Sequence, residues 1–130
     1  MIAIDTNIVV RIIVDDEPRQ VAKARRLLEE SQVYVLTTAL LESEWVLRSL
    51  YGLDRQRMKT SLMAFCSLPN VVLEDEDRVR QALDLHAEGL DFADALHLAG
   101  AKRADAFATF DKSLRAKAGK FLDGLVVREP

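Results

Sequence analysis

Short apolar runs alternate along the chain with longer stretches in which apolar residues recur every three or four positions. Ile2-Ala3-Ile4 is the first run and predicts a short strand. Asp5, Thr6 and Asn7 follow at once, and Val9, Val10, Ile12 and Ile13 then resume the apolar pattern as a helix. Asp15-Asp16-Glu17-Pro18 marks a break, and acids and Pro suit a first helical turn, so a second helix runs from near Pro18 to about Glu30. Val33 to Leu36 is β-branched and aromatic enough for a second strand. A third helix, capped by Thr37 or Thr38, carries Leu40, Leu41, Trp45, Val46 and Leu50 and ends at Gly52. A fourth starts at Asp54, places Met58, Leu62, Phe65 and Cys66 on one side, and stops before Pro69.

Val71-Val72-Leu73 predicts the third strand. The acidic run Glu74 to Asp77 suits the start of a helix that carries Val79 and Leu83 and closes at Gly89. Leu90 to Arg103 predicts the next helix, with Lys102 and Arg103 at its C-terminal end. Ala106 to Thr109 reads as a buried strand stopped by Asp111, Lys112 to Ala118 as a short helix closed by Gly119, and Val126-Val127 as a last strand. This alternation implies an α/β fold with a mostly parallel sheet and helices on both faces. No repeat, low-complexity tract or linker interrupts it, so residues 1–130 are expected to form a single domain.

Composition narrows the function. A hydrophobic share of 49% is ample for one core and too high for a disordered chain. Eighteen Lys and Arg against 21 Asp and Glu give a net charge of -3, which argues against coating nucleic acid through bulk charge. A lone cysteine, Cys66, cannot form an internal disulfide and fits a reducing cytosol. No signal peptide is expected, since no basic segment precedes the first apolar residues. No apolar run approaches the roughly 18–20 residues of a spanning helix. A soluble, cytoplasmic protein is expected.

The acids carry the chemistry. Asp5 and Asp111 end predicted strands, and parallel strands of one sheet would bring both to the same edge, where sites of open α/β sheets lie. Each also has a plain role as helix N-cap. Glu42 is not explained by capping. It lies beside the apolar stripe of its helix, whereas Glu44, about 200° away by the helical period, is expected in water. In Asp91-Phe92-Ala93-Asp94-Ala95-Leu96-His97, Asp91 is the expected N-cap, and Asp94 is a carboxylate inside an apolar helix that wants a cation or a donor. His97 is expected to be buried and hydrogen-bonded rather than a ligand. Convergent carboxylates repel one another unless a cation intervenes. Hard oxygen donors select Mg²⁺ or Mn²⁺, and such a centre suits phosphoryl transfer. Thr6, Asn7 and Thr109 are small polar neighbours that could hold the carboxylates or nearby waters.

Four segments in order resemble a known family: Ile4-Asp5-Thr6-Asn7, Leu41-Glu42 with Trp45-Val46-Leu47, the Asp91 to His97 stretch, and Ala108-Thr109-Phe110-Asp111. Together they are similar to PIN-domain nucleases, and within them to the VapC-type toxin ribonucleases of toxin–antitoxin pairs. The resemblance spans the chain. It implies a three-layer α/β/α sandwich around a parallel sheet of four or five strands, usually homodimeric. It implies Mg²⁺- or Mn²⁺-dependent cleavage of RNA phosphodiesters by activated water. Asp5 and Asp94 match the family's chief metal ligands, and Glu42 and Asp111 its other catalytic acids, completing the site or holding water. Asp91 matches a less uniform acid, and Thr109 the small hydroxyl residue before the last one. A cognate antitoxin typically blocks such a site with a basic or apolar tail. Arg11, Arg48, Lys112 and Arg115 are the basic side chains nearest these motifs and the candidates for contacting RNA phosphates.

Other readings fit less well. A phospho-receiver domain needs paired acids after its first strand, where only Asp5 stands. A haloacid-dehalogenase-type phosphatase needs an acid at position 7, which is Asn7. A housekeeping RNA-processing PIN nuclease and a non-catalytic PIN scaffold are the alternatives, and intact acids at all four positions count against the scaffold.

Overall fold

In the computed structural model, which describes all 130 residues, the chain divides into two compact units, Met1–Glu76 and Asp77–Pro130. In the first unit β1 (Ile2–Ile4), β2 (Val33–Val35) and β3 (Val71–Leu73) form a parallel sheet in that order. β2 is central: Val33 pairs with Ile2 on one side and Val71 on the other. Val33 and Val35 are fully buried, as expected of the middle strand of a covered parallel sheet.

Helices α1 (Thr6–Val14) and α2 (Pro18–Glu30) join β1 to β2, and α3 (Thr37–Ser49) and α4 (Arg55–Cys66) join β2 to β3. Their limits follow local rules. Pro18 takes the first position of α2, where its missing N–H costs nothing. Asp54 caps α4 by accepting the Arg57 N–H at 2.8 Å. Gly52 supplies a positive φ of 67° in the turn between α3 and α4. α1 packs on α2 and α3, burying Val9 and Val10 with Leu40 and Leu47 in this unit's core.

The cap of α3 differs from expectation. Neither Thr37 nor Thr38 caps it; Leu36 holds that position without a side-chain bond. Instead Glu74, just past β3, accepts the Thr37 N–H at 2.9 Å. The acidic run after β3 therefore serves a helix elsewhere in the chain through the same N-terminal preference for negative charge.

The second unit holds α5 (Glu76–Ala87, apart from its first residue), α6 (Phe92–Gly100), β4 (Ala106–Ala108), α7 (Lys112–Phe121) and β5 (Val126–Arg128). Val79, Leu83 and Leu85 of α5 and Phe92, Leu96 and Leu98 of α6 are buried. β4 and β5 are parallel, with Ala106 opposite Val126. All five strands thus lie in parallel ladders, hydrogen-bonded as three plus two.

Three expectations change here. α6 is shorter than Leu90 to Arg103, because Asp91 caps its start and Ala101 closes it, its N–H donating to Leu98 O at 3.1 Å; Arg78 Nε also donates to Leu96 O at 2.8 Å. Lys102 and Arg103 lie beyond the helix. α7 runs through Gly119 to Phe121, and the chain turns only at Gly124, with φ 87°. β4 is not buried: Ala106 and Phe107 are half-buried and Ala108 is exposed. No helix is long and apolar enough to cross a membrane.

Candidate active site and the acids around it

In the first unit Asp5 ends β1 and caps α1, its Oδ1 accepting the Asn7 N–H at 3.0 Å. Its backbone is extended, so the carboxylate leaves the strand at its carboxyl end, exposed to solvent. Thr6 beside it is buried and Asn7 exposed. Glu42 is exposed on α3.

The expectation for Glu44 is overturned. It is only 2% exposed, and its Oε2 and Oε1 accept from Arg48 Nε at 3.0 Å and Nη2 at 3.5 Å. The buried residues of α3 are Thr37, Ala39, Leu40, Ser43, Glu44 and Leu47. Trp45, by contrast, is 54% exposed. Counting Trp45 as core rotates the inferred stripe by about one residue and turns Glu44 to water. The readable signal was the i, i+4 Glu44–Arg48 spacing, which supplies a partner for a buried carboxylate.

In the second unit Asp91 caps α6, its Oδ2 accepting the Asp94 N–H at 3.4 Å. Asp94 follows in the first turn, half-buried. Asp111 caps α7, its Oδ1 accepting the Leu114 N–H at 3.0 Å, while its own N–H donates to Thr109 Oγ1 at 3.1 Å. Arg115 Nη1 donates to Thr109 O at 2.9 Å and braces the same turn. Asp91, Asp94 and Asp111 lie within electrostatic reach of one another. Burial first, then the charges of Asp91 and Asp111, hold the Asp94 carboxyl above its ordinary value, with His97 and Lys117 opposing. His97 itself is exposed, against expectation. The buried histidine is His86, whose Nδ1 is 2.9 Å from Leu90 O and whose ring meets Phe92 edge-on at 5.5 Å. His86 is found on the apolar side of α5, as expected; His97 falls between the buried Leu96 and Leu98, on the outer side of α6.

The structure thus draws Asp91, Asp94 and Asp111 into one electrostatic neighbourhood. Asp5 and Glu42 stand in the other unit as exposed carboxylates. No group of three or more His, Cys, Asp or Glu side chains comes close enough to hold a metal ion. The donors are nonetheless all hard oxygens, and Asp94 is destabilised by negative neighbours, which a cation would reverse. In that electrostatic sense the residues fit a divalent ion.

Of the basic candidates, Arg11 is engaged by Gln20 at 2.6 Å, Asp16 at 3.2 Å and Tyr51 at 3.2 Å. Arg48 is held by Glu44 and Arg115 by Thr109. Lys112 is exposed in the first turn of α7. A hollow of about 580 Å³ in the first unit, between α1, α2 and α4, is walled by Ile12, Ile13, Leu28 and Phe65 and touches none of the candidate acids.

Parallel strands whose carboxyl ends carry acids that cap the next helix make an α/β protein with polar groups at the edge where sites of such sheets lie. The PIN domain family model matches residues 2–120, and the chain belongs to that family. No curated protein matches it.

Proposed function

We propose that the chain is a divalent-metal endoribonuclease using Mg²⁺ or Mn²⁺, and that it acts as the toxin of a toxin–antitoxin pair in the cytoplasm. Both units are then halves of one PIN domain, a reading supported by a family match that spans them. The observation that carries the proposal is the PIN family match over residues 2–120, in a chain that holds acids at Asp5, Glu42, Asp94 and Asp111. Burial, with the charges of Asp91 and Asp111, holds the Asp94 carboxyl above its ordinary value, and perturbed carboxyls cluster at functional sites.

Asp5 and Asp94 are the proposed chief ligands, with Glu42 and Asp111 completing the set or orienting water. A bound divalent ion would lower the pKa of water and neutralise charge developing on phosphate. The chain's own residues supply position. Backbone N–H groups pin one oxygen each of Asp5, Asp91 and Asp111, and all three residues are exposed. Thr109 and Arg115 fix the turn that presents Asp111. Lys112 is the basic side chain best placed in sequence to meet a phosphate. A cognate antitoxin whose basic or apolar tail blocks the acids is the proposed partner, and a homodimer the proposed assembly.

Expression of the wild type, Asp5→Asn and Asp94→Asn in bacteria tests the toxin reading. Growth arrest by the wild type alone, with RNA cut by the purified wild type in Mg²⁺ or Mn²⁺, is the expected result. Three harmless proteins and no cleavage would reject it. A small upstream reading frame encoding a DNA-binding partner would separate toxin from RNA-processing enzyme.

A further inference from the structure

Lys117 of α7 is exposed, and its Nζ donates to Gly89 O at 3.1 Å. Gly89 stands two residues before Asp91, the cap of α6. The contact therefore holds an ammonium beside the segment that presents Asp91 and Asp94. Its charge reaches Asp94, where it opposes the repulsion from Asp91 and Asp111. Sequence proximity favours Lys112 and Arg115. Arg115 is engaged by Thr109 O, however, and among the lysines and arginines it is Lys117 that acts on Asp94.

The anchor is a neutral carbonyl. No carboxylate forms an ion pair with Lys117, in contrast to Arg11 or Arg48. An ammonium carries three donors, and the Gly89 carbonyl takes one. The others remain, next to acids that would by themselves repel an anion. A cation kept near carboxylates without being neutralised by one is free to hold an anionic oxygen. Phosphodiester oxygens are such ligands, and an ammonium binds them as a point charge without reading the base.

We propose that Lys117 is a phosphate-binding residue: anchored on the Gly89 carbonyl, its ammonium holds a nonbridging oxygen of the phosphodiester brought to Asp94. The inference rests on the nuclease reading above and deepens it by adding a substrate contact to that site. The acids would hold the ion, and Lys117 would offset their repulsion of the phosphate. A lysine that served only to latch α7 onto the Gly89 turn would affect stability and leave the charge dependence of binding untouched.

The test titrates dye-labelled RNA of random sequence into the full-length Asp5→Asn protein with Mg²⁺, following anisotropy over a series of salt concentrations. Asp5→Asn is expected not to cut, and it alters no residue of α6 or α7. Adding Lys117→Gln should weaken binding roughly three- to tenfold. It should also make the slope of log affinity against log salt shallower by about 0.7, the share of one contact to a single strand. Lys117→Arg should restore most of both. Lys120→Gln, in the last turn of the same helix, should change the slope little. Equal affinity and slope for Lys117→Gln overturn the proposal and leave the nuclease reading standing. A lowered melting temperature with an unchanged slope overturns it in favour of a structural latch. Equal losses in Lys117→Gln and Lys120→Gln overturn it in favour of diffuse attraction. A wild type that neither binds nor cuts RNA removes the nuclease reading itself.

Discussion

Glu44 is buried in α3 with its Oε2 3.0 Å from Arg48 Nε, one helical turn on. The pair is asymmetric: the glutamate side chain is 3% exposed and the arginine 49%. Removing the half-exposed partner leaves a buried charge uncompensated. Arg48→Ala is expected to cost about 1–3 kcal/mol, below the 3–5 kcal/mol of a fully buried pair because solvent screens this one. Urea unfolding measures it. Glu44→Leu with Arg48→Met removes both charges and should recover most of that loss; a double variant no more stable than Arg48→Ala contradicts the account.

Asp5 combines two roles that substitution can separate. Its carboxylate caps α1 and is a proposed metal ligand. Asn is an equally good cap, whereas Ala costs about 1 kcal/mol. Asp5→Asn should therefore melt close to the wild type and Asp5→Ala several degrees lower, with both lacking RNA cleavage. Equal melting temperatures for the two would show that the cap contributes nothing.

Asp94 should oppose stability where it serves chemistry. Its folded value is raised above the ordinary 3.8. The neutral form is thus favoured by the fold, and that advantage is fully present below 3.8 and lost as pH rises through the higher folded value. At pH 7 the ionised carboxylate is a liability that Asn lacks. Asp94→Asn is expected to raise the melting temperature by about 1–3 °C at pH 7, with the gap closing below pH 4. A variant that melts lower at pH 7 than the wild type contradicts the sign.

A cation that relieves this repulsion should stabilise the folded chain by mass action. Millimolar Mg²⁺ or Mn²⁺ is expected to raise the wild-type melting temperature by roughly 10 °C, on the order of 2–3 kcal/mol at a hundredfold excess over Kd. Asp94→Asn should show little of this shift. Equal shifts in both proteins would place the ion elsewhere.

Much of this molecule was legible before any coordinates. Ile2 to Ile4 as β1, Pro18 to Glu30 as α2 and Val71 to Leu73 as β3 follow from apolar period and from Pro and acids at helix starts. Asp5, Asp54, Asp91 and Asp111 are N-caps because their spacing to the next apolar residue allows it. One cause of the errors is that neighbours distant in the chain are invisible locally. Glu74 caps α3 from 37 residues away. Arg78 bonds the Leu96 carbonyl of α6 from 18 residues away. A second cause is local: Glu44 is buried and His97 exposed, each against expectation, because a one-residue error in helical phase moves a side chain by about 100°. The candidate acids were readable as types at plausible positions, whereas their mutual distances depend on tertiary packing that periodicity does not encode.

The short ladder between β4 and β5 has a consequence for synthesis. Ala106, Phe107 and Ala108 find their strand partners in Val126, Val127 and Arg128, some twenty residues later. A nascent chain can lay down β1, β2 and β3 and still present β4 with an unpaired backbone edge. Until Arg128 has cleared the ribosome tunnel, the turn that carries Asp111 has no finished sheet beneath it. Pairing of β4 with β5 is therefore a late step of synthesis, and the turn that presents Asp111 is braced only once it is made.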